Sequence, residues 1–192
     1  MKKLFSAILF IMVAMSFSSC SYNNITQLDE DTKAKWGAVQ SQYQRRADLI
    51  PNLVATVKGV ANFEKGTLTA VTEARAKATS VQVDASKLTP ETIQKYQQAQ
   101  GELSTALGRL LSVTENYPTL RANDNFTALQ AQLEGTENRI TVARGDFNTS
   151  VQAYNSKIRA FPANLTAKMF GFTTKGYFEA DATAQNAPKV EF

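Results

Sequence analysis

From residue 25 onward, apolar side chains return at intervals of three, four and seven, and almost never alternate with polar ones at the spacing of a strand. The clearest run is Phe126, Leu133, Ile140, Phe147, Tyr154 and Phe161, an i+7 column. Beside it a second column starts at Leu129, passes the small residues Thr136 and Ala143, and moves one place along to Val151 and Ile158. That drift is expected of a nearly straight helix that keeps one face on one core. Asn123 or Asp124 offers an N-cap and Pro162 a stop. The spacing therefore predicts a helix of about 36 residues, about 54 Å long.

The first segment repeats the pattern, with Trp36, Tyr43, Ile50 and Val57 in one column and Ile25, Val39, Leu53 and Val60 beside it. It predicts a helix over residues 25 to about 61. Pro51 falls inside, removes one helical hydrogen bond and crowds the carbonyl of Ala47, so a kink or a break into two straight pieces is expected there. A third helix over residues 64 to about 79 places Leu68, Val71 and Ala78 on one face. A fourth opens with Thr89 as N-cap and Pro90 at its first position, then carries Ile93, Tyr96, Leu103, Leu107, Leu110 and Leu111. Beyond Pro162, the aromatics Phe170, Phe172, Tyr177 and Phe178 are expected to dock on the end of the bundle, ahead of a polar tail at 179–192. Short loops between long amphipathic helices define the fold class as all-α: an elongated antiparallel up-and-down bundle of four to five helices, its first long helix kinked near Pro51.

The first twenty residues follow other rules. Lys2 and Lys3 precede a largely apolar run at 4–17, and Ser18, Ser19 and Cys20 follow directly, the order of a secretory signal. As a helix the run spans about 21 Å, short of the roughly 30 Å hydrocarbon core, which makes a permanent transmembrane helix the weaker alternative. Small residues before the lone cysteine resemble a bacterial lipobox, with Phe17 in place of the usual Leu. On that reading Cys20 becomes the first mature residue and carries acyl chains; the competing reading is a free cysteine beside an ordinary cleavage site. Several acyl chains anchor stably without crossing the bilayer. The chain then divides into a lipoprotein-type signal at 1–19, a tether at 20–24, a helical bundle at 25–178 and the tail. Ser21 is not an acidic retention cue, which favours the periplasmic face of an outer membrane where the source has one.

Composition narrows the chemistry. Hydrophobic residues make up 43% and charged residues 20% of the chain, ordinary values for a folded domain. The 21 basic residues exceed the 17 acidic ones by four, and with Lys2 and Lys3 assigned to the leader the excess falls to about two. The charges alternate in sign and form no basic block, which gives no footprint for nucleic acid. Histidine is absent and cysteine occurs once. The commonest general base and the usual transition-metal ligands are therefore missing, and no metal or cofactor is expected.

Several stretches, in order, identify the chain as similar to the LemA family. They begin with Leu28-Asp29-Glu30, Trp36 and the run Gln42-Tyr43-Gln44-Arg45-Arg46-Ala47-Asp48-Leu49-Ile50-Pro51-Asn52-Leu53-Val54, continuing through Thr56-Val57-Lys58-Gly59. Glu115-Asn116-Tyr117-Pro118, Leu120, Asn125-Phe126, Leu129-Gln130, Leu133-Glu134, Ala143-Arg144, Tyr154-Asn155, Phe161-Pro162 and Phe170-Gly171-Phe172 complete the resemblance. It implies a membrane-attached helical bundle outside the cytoplasm with no established enzymatic activity, some of whose relatives organise specialised bacterial membranes. Two departures stand out. Many relatives carry a longer transmembrane helix at the start, and many have His-Glu where this chain has Phe63-Glu64, which weakens any metal proposal there.

Arg45, Arg46 and Asp48 beside Pro51 form the candidate interaction patch. Two guanidiniums there can receive a phosphate or carboxylate; alternatively these side chains bridge helices and position the kink. The carboxylates Glu30, Asp48, Glu64, Glu73 and Glu115 form no evident acid/base pair, and no nucleophile motif or phosphate loop appears, so no catalytic residue is assigned. The expected function is an interaction or scaffold module, lipid-anchored through Cys20, with a protein partner in the cell envelope. Direct binding or organisation of the membrane surface is the alternative, and a ligand-binding module or enzyme would require a closed polar pocket.

Overall fold

A computed structural model describes residues 2–59 and 64–179, with side chains from residue 21 onward. Six helices follow one another: α1 (Lys2–Lys58), α2 (Lys65–Ser80), α3 (Pro90–Thr114), α4 (Pro118–Arg121), α5 (Asp124–Arg159) and α6 (Ala163–Phe170). Residues 172–179 are irregular and extend along the bundle as a strap, and the described residues contain no strand. The architecture is the expected all-α bundle of four long helices, with the short α4 and α6 added at its corners. The predicted tail lies outside the described residues beyond position 179, as does Val60.

The long helices pair by the stripes read from the sequence. α1 packs chiefly on α5 and α2 on α3. Ile25 meets Tyr154 and Ile158 at one end, Trp36 and Tyr43 meet Ile140 and Phe147 in the middle, and Ile50 to Val57 meet Phe126 and Leu133 at the other end. α1 and α5 are therefore antiparallel along the full length of α5. The hairpin of α2 and α3 covers the middle and far sections, while α6 and the strap complete the near end.

The helix ends obey local chemistry. The Thr89 hydroxyl accepts from the Thr92 amide at 3.3 Å, with Pro90 at the first helical position. Asn123 accepts from the amides of Asn125 and Phe126 at 3.0 and 3.2 Å. α6 ends on Gly171, whose φ of 74° is left-handed, and the Phe172 amide returns to the Ala167 carbonyl at 2.9 Å.

Three expectations change. α1 does not begin at residue 25; the positions read as a tether, 20–24, are helical. Phe161 leaves the i+7 column, because α5 stops at Arg159, and it is 81% exposed. Phe178 is not at the bundle end but inside its middle, with ring centroids 6.0 Å from Trp36 and 5.6 Å from Phe147.

Pro51 lies within α1, which continues to Lys58, so the helix is not broken into two pieces. The missing proline N–H leaves the Ala47 carbonyl without its helical donor. Arg75 of α2 replaces it, its Nε donating to that oxygen at 2.8 Å. The proline thus creates an acceptor that fastens α2 to α1. Truncation Arg75→Ala is expected to destabilise the protein by about 1 kcal/mol. In a Pro51→Ala background, where residue 51 again has an N–H for Ala47, the same truncation is expected to cost less. A double-mutant cycle by urea denaturation reads the difference; equal costs in both backgrounds would show that the Arg75 bond does not replace the lost one.

Candidate functional site

Arg46 is the most heavily engaged polar side chain of the bundle and is only 2% exposed. It stands on the face of α1 that carries Tyr43, Ala47 and Ile50, all buried. Its Nη1 donates to Ser104 Oγ at 2.7 Å and to Glu137 Oε2 at 3.0 Å, and its Nη2 donates to the Gln100 side-chain and main-chain oxygens at 2.7 and 3.2 Å. Gln100 Nε2 in turn donates to the Ala78 carbonyl at 3.2 Å. One guanidinium therefore ties α1 to α3 and α5, and through Gln100 to the end of α2. The plane of charge lies 5.0 Å from the Tyr43 ring. Burial raises the Tyr43 hydroxyl above its ordinary value, although the guanidiniums of Arg144 and Arg46 oppose the shift.

The three residues read as one interaction patch are separated by the helix. At 100° per residue, Arg45 and Asp48 turn away from the face that holds Arg46. Both are exposed, and Asp48 accepts from Gln44 Nε2 at 2.8 Å. The side chain of Cys20 lies outside the described side chains.

The strap is held by side-chain amides that pair with its backbone as a neighbouring strand would. Asn155 exchanges two hydrogen bonds with the main chain of Lys175, at 2.9 and 2.9 Å. Asn148 does the same with Phe178, at 2.8 and 2.9 Å, and Gln97 with Glu179, at 2.8 and 3.1 Å. Seven residues of α5 rise about 10.5 Å, and three extended residues span about 10 Å. Asn148 and Asn155 thus meet strap residues three apart. At Gly176 the strap passes hard against the start of α3, where a Cβ would lie 2.6 Å from Pro90 Cα. Only glycine fits, and its amide donates to the Leu88 carbonyl at 2.9 Å. Lys175 is 7% exposed and reaches Asp29 of α1 at 2.8 Å. Burial by itself would raise the Asp29 carboxyl, but hydrogen bonds from Lys175 and Lys33 outweigh it and hold the carboxyl below the usual range. Beside them, burial and then the Asp29 charge push the Tyr154 hydroxyl up to about 12.

Between α3, α5 and the strap lies an open polar groove of about 910 Å³, lined among others by Arg46, Gln97, Gln100, Glu137, Arg144 and Tyr177. Arg144 bridges its rim, donating to the Glu179 carbonyl at 3.0 Å with its guanidinium 4.9 Å from the Phe178 ring. The groove offers amide and guanidinium donors, and Glu137 faces Arg46 within it. Such a lining is suited to binding carbonyl and carboxylate groups. Among the described residues no three His, Cys, Asp or Glu side chains gather to hold a metal ion, and no helix is long and apolar enough to cross a membrane. Sequence reasoning missed Gln97 and Asn148. Two asparagines seven apart inside a long helix, where Asn is a poor helix former, were the available signal.

The model of the LemA family matches residues 35–192. Magnetosome protein MamQ 2 of Paramagnetospirillum magneticum is 30% identical over 179 residues, covering 82% of this chain and 64% of that protein. Magnetosome protein MamQ of Magnetospirillum gryphiswaldense is 28% identical over 178 residues, with the same coverage. Protein LemA of Metamycoplasma hominis is 25% identical over 142 residues, 74% of this chain and 61% of that protein. The chain thus spans a little under two thirds of the length of these relatives.

Replacement Arg46→Met strands the Gln100 and Ser104 acceptors and is expected to destabilise the fold by about 2–3 kcal/mol, whereas Arg45→Ala is expected to stay within about 0.5 kcal/mol; chemical denaturation of the two variants measures the contrast. Strap docking is also expected to depend on acid. Because the folded Asp29 carboxyl titrates below its unfolded value, near 3.9, its contribution is complete above that value and is lost as pH falls through the lower folded one. Fluorescence of Trp36, the single tryptophan, is expected to report release of Phe178 in that acid window, and Asp29→Asn is expected to abolish the step.

Proposed function

The chain belongs to the LemA family, and on that premise we propose that it is a lipid-anchored helical-bundle module of the cell envelope that works by holding other envelope proteins. The observation that carries this reading is α1, helical without interruption from Lys2 to Lys58. Position 20, where the acyl chains attach, already lies in the principal helix of the bundle, so the bundle stands at its attachment as a rod. A flexible linker would decouple the two. From position 21 the helix adds about 57 Å of reach, which suits an element that presents a lateral surface to a partner.

The surface assigned to that partner is the polar groove between α3 and α5, where Arg144 and Gln97 line the wall around the buried Arg46. Acyl chains on Cys20 supply the anchor. The magnetosome names of two relatives support a part in assembling a cellular structure.

Mass spectrometry of the native N-terminus is expected to find acylated Cys20 as the first residue, and Cys20→Ala is expected to leave the chain unacylated and its leader uncut by the lipoprotein route. A native chain that starts at Met1 would replace the acyl anchor by a retained helix. A photo-crosslinker at Thr105, on the groove wall, is expected to capture an envelope protein in intact cells that the same group at Glu73, exposed on α2, does not. Equal capture from both positions removes the groove from the proposal.

A further inference from the structure

α6 wears its polarity inside out. Its buried face is Ala163, Thr166 and Ala167, seated on Ile25, Tyr154 and Ile158, while Leu165 and Met169, four residues apart, point outward at 60% and 68% exposure. A helix that merely completed a water-soluble bundle would turn these large side chains inward. Phe161, just before α6, and Phe170, at its end, are also exposed, and Phe170 lies 4.7 Å from the ring of Tyr22. Among the described residues seven large hydrophobic side chains are exposed, and these five share one end of the rod. Singly scattered exposed residues need no explanation, but a group of this kind gathered at one end marks a surface that another phase or molecule covers.

Position and charge select the cover. Tyr22 is two residues past Cys20 on the same helix, and the apolar run at 4–17 continues α1 beyond it. The cap therefore lies beside the point at which the chain leaves the bundle for its attachment. From 147 to 178 the chain contains Lys157, Arg159, Lys168 and Lys175 and no Asp or Glu, and Arg159 and Lys168 are exposed beside the cap. Large apolar and aromatic side chains ringed by cations match the boundary between acyl chains and anionic headgroups.

We propose that Phe161, Leu165, Met169, Phe170 and Tyr22 form a membrane-seating cap that inserts into the interface of an anionic bilayer and fixes the angle at which the rod stands. This rests on the reading that the chain is membrane-attached, and deepens it by naming a second contact besides the anchor. Acyl chains alone leave the rod free to tilt against the bilayer, whereas a seated cap sets one orientation.

The test uses the full chain with an environment-sensitive fluorophore on Met169→Cys, or on Val142→Cys as the exposed mid-rod control, reconstituted with vesicles of phosphatidylethanolamine and phosphatidylglycerol. The expected result is a blue-shifted, several-fold brighter signal and quenching by nitroxide lipids at position 169 alone. The double variant Leu165→Asp, Met169→Asp, labelled at Phe161→Cys, is expected to pellet with vesicles as before yet lose that response; both changed positions are solvent-exposed, so the fold is retained. A chain that pellets with vesicles but leaves the label at 169 as wet as that at 142 overturns the cap and leaves attachment standing. A chain that fails to pellet overturns both readings. Quenching replaced by crosslinks between copies through position 169 overturns the bilayer as the cover and assigns it to a second molecule of this chain.

Discussion

A helix of 36 residues with a stripe of apolar side chains down one side is stable only if something of comparable length covers that stripe. α5 meets that condition on α1, and the contact between them orders everything else. Trp36, Tyr43, Ile50 and Val57 on one helix and Phe126, Leu133, Ile140 and Phe147 on the other are buried along a single seam. The hairpin of α2 and α3 then closes the far two sections. At the near end neither hairpin helix is present, and the strap and α6 take their place.

The seam fixes where helices lie, but the obligation to pair buried backbone groups fixes what joins them. Pro51 withdraws a donor from Ala47, and the vacancy is filled from α2 by Arg75. The strap lacks any strand beside it, and three side-chain amides supply the pairs that a sheet would have given. Arg46 serves the same end among side chains, satisfying acceptors on α3 and α5 with one group. In each case a polar debt inside the bundle becomes a cross-link between elements.

The parts of the fold governed by helical period were legible in the sequence, because period is local: the columns on α1 and α5, the caps at Thr89 and Asn123, and the stop before Pro162 all follow from neighbours within one or two turns. What depends on distant partners was not. Nothing near Phe178 announces that its ring lies between Trp36 and Phe147, which precede it by more than a hundred and by thirty-one positions. Arg46 and its neighbour Arg45 left two readings open, an anion-receiving pair or a bridge between helices; only the positions of Gln100, Ser104 and Glu137 assign the bridge to Arg46 and leave Arg45 outside. Phe161 kept its place in the column on paper because a stripe cannot say where its helix will stop. The groove escaped for the same reason, being enclosed by three elements far apart along the chain.

The match between two helical turns and three extended residues has a geometric outcome for the strap. A slide by one residue turns the backbone pairs away from their amides. A slide of any length within the strap takes Phe178 out of its place beside Trp36 and Phe147, and brings a residue with a side chain to Pro90, where a Cβ meets backbone at 2.6 Å. The segment therefore has a single permitted phase against α5, like a vernier with only one coincident mark, and it is either fully seated in that phase or not seated at all.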